Sequence, residues 1–280
     1  TWYKANSPYR VTGTVTVPTG NTLTIQPGVD VLFDADVQFI VQGSLHAVGT
    51  AQDSIRFVKG TASEWGGIRI SGGDSSTIAY CRISDGNAQG SVPDCHGGGL
   101  YVAGTGTRFG LHNSVISANT SSVSGGGVVV TEGGSLVSVA AEIRDNVAGG
   151  AGGGLVAAYG ANVVLSNCVV SGNSSPANEG GGLHVYLAEG TLTNCRITGN
   201  VAATNSGGVR LISSQVTFTG CLIADNAASS YGGGIWLSDA SAAQLTNCTI
   251  TGNMGVDANT PAGGVGSWAS QVILKNTIVW

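Results

Sequence analysis

Three residues with functional chemistry recur at a spacing of 26: His184, Arg210 and Trp236. Near them stand Tyr101, Tyr186 and Tyr231, with the carboxylates Glu189 and Asp239. Rings, a guanidinium and an imidazole on one strip suit a sugar chain, with the rings against its apolar faces and the other groups on its hydroxyls. The candidate carbohydrate ligands are therefore Tyr101, His184, Tyr186, Arg210, Tyr231 and Trp236. Outward strand positions favour aromatics and arginine in any case, so the same strip also reads as ordinary sheet surface. Cleaving a glycosidic bond needs two carboxylates ~5–9 Å apart, and nothing in the spacing pairs Glu189 with Asp239. No catalytic residue, metal or cofactor is assigned. Asp30, Asp34 and Asp36 read as a solvated turn rather than a cation site, and neither a phosphate loop nor a Gly-x-Ser-x-Gly elbow occurs.

What must position these residues is a repeat. Glycines precede a short apolar run at Gly154, Gly182, Gly208 and Gly234, and the same corner returns at Gly67, Gly99, Gly127 and Gly264. Between corners run Leu165, Leu192, Phe218 and Leu245 in one column and Val170, Ile197, Ile223 and Ile250 in another. Apolar columns that alternate along short runs broken by glycine and asparagine are strands, and columns that persist between repeats are side chains stacked in parallel sheets. A helical solenoid would use longer repeats and fewer glycines. Parallel crossovers are overwhelmingly right-handed. The expected fold is all-β: a right-handed single-stranded parallel β-helix with three short strands per coil. Residues 1–64, which lack the triple-glycine corner, are expected to form shorter coils that cap the stack, and residues 65–280 its regular repeats.

Two asparagine columns mark the bends. Asn113, Asn167, Asn194, Asn247 and Asn276 sit where a left-handed backbone is tolerated. Asn119, Asn146, Asn173, Asn200, Asn226 and Asn253 mark the end of the third strand. Cys168, Cys195, Cys221 and Cys248 lie 27, 26 and 27 residues apart, in a column that Cys81 begins. Stacked neighbours ~4.8 Å apart with parallel side-chain vectors do not converge to the ~3.8 Å a bridge needs, so free buried thiols are expected. Cys95 falls outside the column, in a loop, and is expected to be the accessible thiol.

The GGGL, GGGV and GGGI corners, followed by Ile197-Thr-Gly-Asn200 or Ile116-Ser-Ala-Asn119, resemble the right-handed parallel β-helix repeats of bacterial surface proteins. They are also similar to the GGA[ILV] and FxxN repeats of polymorphic outer membrane proteins, with Ile or Val in the Phe place. Leu23-Thr-Ile25-Gln-Pro-Gly28 followed by Trp65-Gly-Gly-Ile68 resembles the usual entry into such regions. The resemblance implies an extracellular or cell-surface segment, structural or adhesin-like, binding glycans or a partner. The scaffold also hosts polysaccharide lyases and glycoside hydrolases, which remain the alternative. The NTD, DD, GHG and RIK motifs of pectin hydrolases do not occur here.

A net charge of −5 with 11 Lys+Arg argues against a nucleic-acid partner, and no run of ~18 apolar residues is present to span a bilayer. A start at Thr1, with no Met, is expected of a chain whose leader has been removed or of one cut from a longer protein. A final strand, residues 276–280, with no polar cap after it is likewise expected of a chain cut from a longer one. Self-association through Ile278, Val279 and Trp280 is the other expectation for that end.

Overall fold

The computed structural model describes residues 1–61, 64–72, 75–256 and 263–280. One rung shows how the sequence turns. Leu183–Tyr186 is extended, Leu187 takes φ +50° and bends the chain, and Glu189–Thr193 follows. Asn194, at φ +53°, makes the next bend, and Arg196–Thr198 then runs to a third bend at Gly199, φ +64°. A two-residue strand, Val201–Ala202, closes the circuit. Each strand pairs in parallel with its counterparts in the rungs on either side, as Leu183↔Val209 and Val209↔Ile235 show.

Stacking gives a right-handed parallel β-helix with sheets of 10, 10 and 11 strands among the described residues. The three long sheets are the expected three strands per coil, and a fourth sheet, of 7 two-residue strands, adds a short one in the later rungs. Two residues are too few to show an alternation, so that strand is invisible in the sequence and exists through its neighbours in the stack. The strands between Tyr9 and Lys59 lie in the same three long sheets as the later rungs.

The inward columns fill one continuous core. Leu165, Leu192, Phe218 and Leu245 are buried, as are Val170, Ile197, Ile223 and Ile250. Each such side chain contributes roughly 1.5–3 kcal/mol of hydrophobic stabilisation. Toward the N-terminal rungs the filling is aromatic, with Phe33 stacked on Trp65 at 3.9 Å and Trp2 on Tyr9 at 4.7 Å. At the last rung Leu274, Ile278, Val279 and Trp280 are exposed.

The column from Asn119 to Asn226 is a buried ladder that ends on the half-buried Asn253. Asn173 Oδ1 accepts the Asn146 backbone N–H at 3.0 Å and the Asn146 Nδ2–H at 2.9 Å. Its own Nδ2 donates to Ile143 O at 2.9 Å and to Asn200 Oδ1 at 3.0 Å. The other asparagine column works through backbone shape. Asn113, Asn167, Asn194, Asn247 and Asn276 all have positive φ. Tyr80 and Ala140, which share the column, adopt φ +50° and +52° because the register demands it.

All six cysteines are free. Cys195, between Cys168 and Cys221, donates its thiol to Leu165 O and Thr193 O, each at 3.4 Å, and is pushed up by the two neighbouring thiols and by burial. Burial pushes the Cys81 thiol up to about 12. Cys95 is not the accessible thiol: it is 2% exposed. The Arg69 guanidinium donates to the carbonyls of Asp94 (2.8 Å) and His96, which holds the loop against the rod and turns the thiol inward. Among the described residues no helix is long and apolar enough to cross a membrane.

Candidate functional site

The outward face of the first-strand sheet carries Arg69, Tyr101, Val129, Val156, His184, Arg210, Trp236 and Gly266, one per rung. From the sequence these are exposed strand positions in a groove bordered by the flanking bends. Instead Arg69, Tyr101, Val129, Val156 and Arg210 are 4–7% exposed. The cause is the bend before each glycine corner. Gly97, Gly125, Gly152, Gly180, Ser206 and Gly232 take positive φ and reverse the chain, so the residue before each corner lies beside the strand that follows. Those residues form their own column: His96, Ser124, Ala151, Glu179, Asn205 and Tyr231. Backbone bonds such as Gly152 N–H to Glu179 O at 3.1 Å and Gly180 N–H to Asn205 O at 2.9 Å hold it in register.

Two clefts open between this bend column and the bend on the far side of the strand. One, about 390 Å³, is lined by Tyr101, Val129, Val156, His184 and Tyr186, with His96 and Tyr159 at its walls. The other, about 570 Å³, is lined by Asn205, Arg210, Tyr231, Trp236, Asp239 and Trp268. The six residues singled out by sequence therefore divide: Tyr101, His184 and Tyr186 face the first cleft, and Arg210, Tyr231 and Trp236 the second.

Glu179, His184 and Arg210 separate the two. The Glu179 carboxylate accepts from Arg210 Nε at 2.9 Å and from Asn205 Nδ2 at 3.1 Å. Arg210 further donates to Leu211 O and to Ser238 Oγ, each at 2.8 Å. The guanidinium is thus fully engaged and acts as a strut. His184 Nε2 lies 3.9 Å from Glu179 Oε1, beyond hydrogen-bond reach, and neither imidazole nitrogen has a partner. Burial lowers the His184 pKa to about 4; Glu179 opposes that shift and the Arg210 charge adds to it. The imidazole is neutral at pH 7.

In the second cleft Tyr231 stacks on Trp236, with centroids 4.8 Å apart and planes at 21°, and Trp268 is 64% exposed beside them. Asp239 accepts the Ser238 hydroxyl at 2.7 Å. Glu189 lines a different cleft, with Asn162, Leu187 and Gln215, so it does not face Asp239. Asp30 and Asp34 are held in ion pairs by Arg56 (2.6 Å to Nε) and Arg10 (2.7 Å). Among the described residues no three of His, Cys, Asp and Glu cluster as metal ligands.

Sequence reasoning missed Glu179, Tyr159 and Trp268. Glu179 had a signal: it stands one place before a glycine corner, in the column that reads Asn205 and then Tyr231. A family model described as "Right handed beta helix region" matches residues 98–278. No curated protein and no solved structure matches the chain.

Proposed function

We propose, from the premise that the chain belongs to the right-handed β-helix region family, that it is a non-catalytic scaffold of a cell surface or secreted protein that holds a glycan in its second cleft. The observation that carries this reading is the Tyr231–Trp236 stack with the exposed Trp268 ring beside it. Asn205, Asp239 and Ser238 line the same cleft and offer polar groups to sugar hydroxyls. Sugars present flat C–H faces to rings and a rim of hydroxyls to side-chain amides and carboxylates, and this cleft offers both. Arg210 stiffens the floor, because its donors are spent on Glu179, Leu211 and Ser238.

The likeness of the GGGL and I-x-x-N repeats to polymorphic outer membrane proteins supports the surface placement.

A glycan array run on the chain and on Trp236→Ala tests the proposal, alongside a screen for cleavage of acidic polysaccharides. Saturable binding to an oligosaccharide, weakened about tenfold or more in the variant, a loss of ~1.4 kcal/mol, is the expected result. Absence of binding across the array, or turnover lost on His184→Ala, would overturn it, the second in favour of a lyase or hydrolase.

A further inference from the structure

The first cleft is a separate matter. Along the stack the strand column reads Tyr101, Val129, Val156, His184, and the column two residues on reads Ala103, Thr131, Ala158, Tyr186. The facing bend column reads His96, Ser124, Ala151, Glu179. Two consecutive rungs therefore carry small side chains in all three columns, with large ones at one or both ends of each. On a sheet with ~4.8 Å between strands, that arrangement leaves a trough, and its ends, Tyr101 and His184, are three rungs or about 14 Å apart. Tyr159 and Glu132 form the far wall, and the Tyr159 ring stands at 90° to that of Tyr186 with centroids 5.3 Å apart.

The lining selects a ligand. Tyr101, Ala103, Val129, Val156 and Ala158 make an apolar patch apart from the main core, with Tyr186 packed against it. Both nitrogens of His184 are shut off from solvent and bond to nothing in the protein. A buried polar group without a partner is costly, and a ligand that brings a donor or acceptor within reach of that ring recovers the cost. Anions are disfavoured. Arg69 is spent on two carbonyls and lies over the Tyr101 ring at 5.1 Å, and Arg210 is spent on Glu179. The Glu132 carboxylate lines the trough and repels negative charge. Perpendicular tyrosines offer a third ring both edge and face.

We infer that this trough binds a small uncharged aromatic molecule bearing one hydrogen-bonding group, of the phenol or indole class. The ring lies on Val129 and Val156 between Tyr101 and Tyr186, and a turn of the His184 imidazole about its Cβ–Cγ bond brings one of its unpartnered nitrogens to the ligand's hydroxyl or N–H. The inference does not depend on the glycan reading, which concerns the other cleft.

The test is titration of the whole chain with p-cresol at pH 7, followed by NMR, with toluene and benzoate as comparison ligands. Saturable shifts with p-cresol are expected, with toluene at least tenfold weaker and benzoate without effect. Val156→Phe fills the trough from its outward face and should abolish binding at an unchanged melting temperature; Val129→Phe serves if that variant does not fold. His184→Phe should reduce p-cresol to the level of toluene, and Trp236→Ala should leave it unaltered. No saturable shift up to the solubility of p-cresol would overturn the inference. So would unchanged binding in the filled variant, or toluene and p-cresol binding alike.

Discussion

Replacing Asn173 by Leu keeps the branched shape and the number of side-chain heavy atoms and removes polarity, which tests what the buried ladder contributes. Two donors on Asn146, its backbone N–H and one Nδ2–H, lose the oxygen they share at 3.0 and 2.9 Å. Asn173 is fully buried, so water does not replace it. At ~1–3 kcal/mol for each orphaned buried donor, the loss is about 2–6 kcal/mol. The matched control is Asn167→Ala in the same rung. Asn167 has φ +54° and an exposed side chain, and Ala140 already occupies its column at φ +52°. That change should cost about 1 kcal/mol, the penalty of a left-handed backbone. Urea unfolding followed by far-UV circular dichroism measures both, with the slope checked because stacked repeats can unfold in parts. If Asn173→Leu proved no more damaging than Asn167→Ala, the ladder would not be the internal fastening described above.

Three further outcomes are expected. The His184 pKa is lowered by burial from 6.5 to about 4. The unfolded chain therefore takes up that proton first, and stability present above pH 6.5 falls by roughly 3 kcal/mol as the pH drops to 4. His184→Phe should remove this part of the pH profile of the melting temperature, and parallel profiles would contradict it. A Cβ on Gly181 would lie 2.4 Å from the Val201 carbonyl oxygen and 2.7 Å from that of Gly207. Gly181→Ala should therefore cost about 1–3 kcal/mol or more by thermal melting, whereas an unchanged melting temperature would mean the corner is looser than drawn. A thiol reagent should label none of the six cysteines rapidly before unfolding, and one fast equivalent would contradict the buried placement of Cys95.

The stack was legible in the sequence because in-register parallel strands repeat chemistry at a fixed interval. The Leu192, Ile197 and Asn200 columns each answer one inward or bend position, and all three lie where their spacing requires. The two-residue strand at Val201–Ala202 left no alternation to read. The binding face was half legible. His184, Arg210 and Trp236 were placed on neighbouring rungs, as they are, but their cover was not foreseen. It depends on positive φ at residues such as Gly180 and Ser206, which swing Glu179 and Asn205 over the strand. Cys95 was misplaced for a related reason: the Arg69 side chain that fastens its loop comes from the rung before, 26 residues away in sequence.

Spin labels placed along one outward column give the most direct measure of the stacking. Val48, Val139 and Lys275 are exposed and lie in one file of the second-strand sheet. Val139 and Lys275 are five rungs apart and Val48 and Lys275 eight, so dipolar distances between labelled cysteine pairs should centre near ~24 Å and ~38 Å at ~4.8 Å per rung. Narrow distributions in that five-to-eight ratio are expected. Broad distributions, or distances out of that ratio, would mean the rungs are not stacked in register.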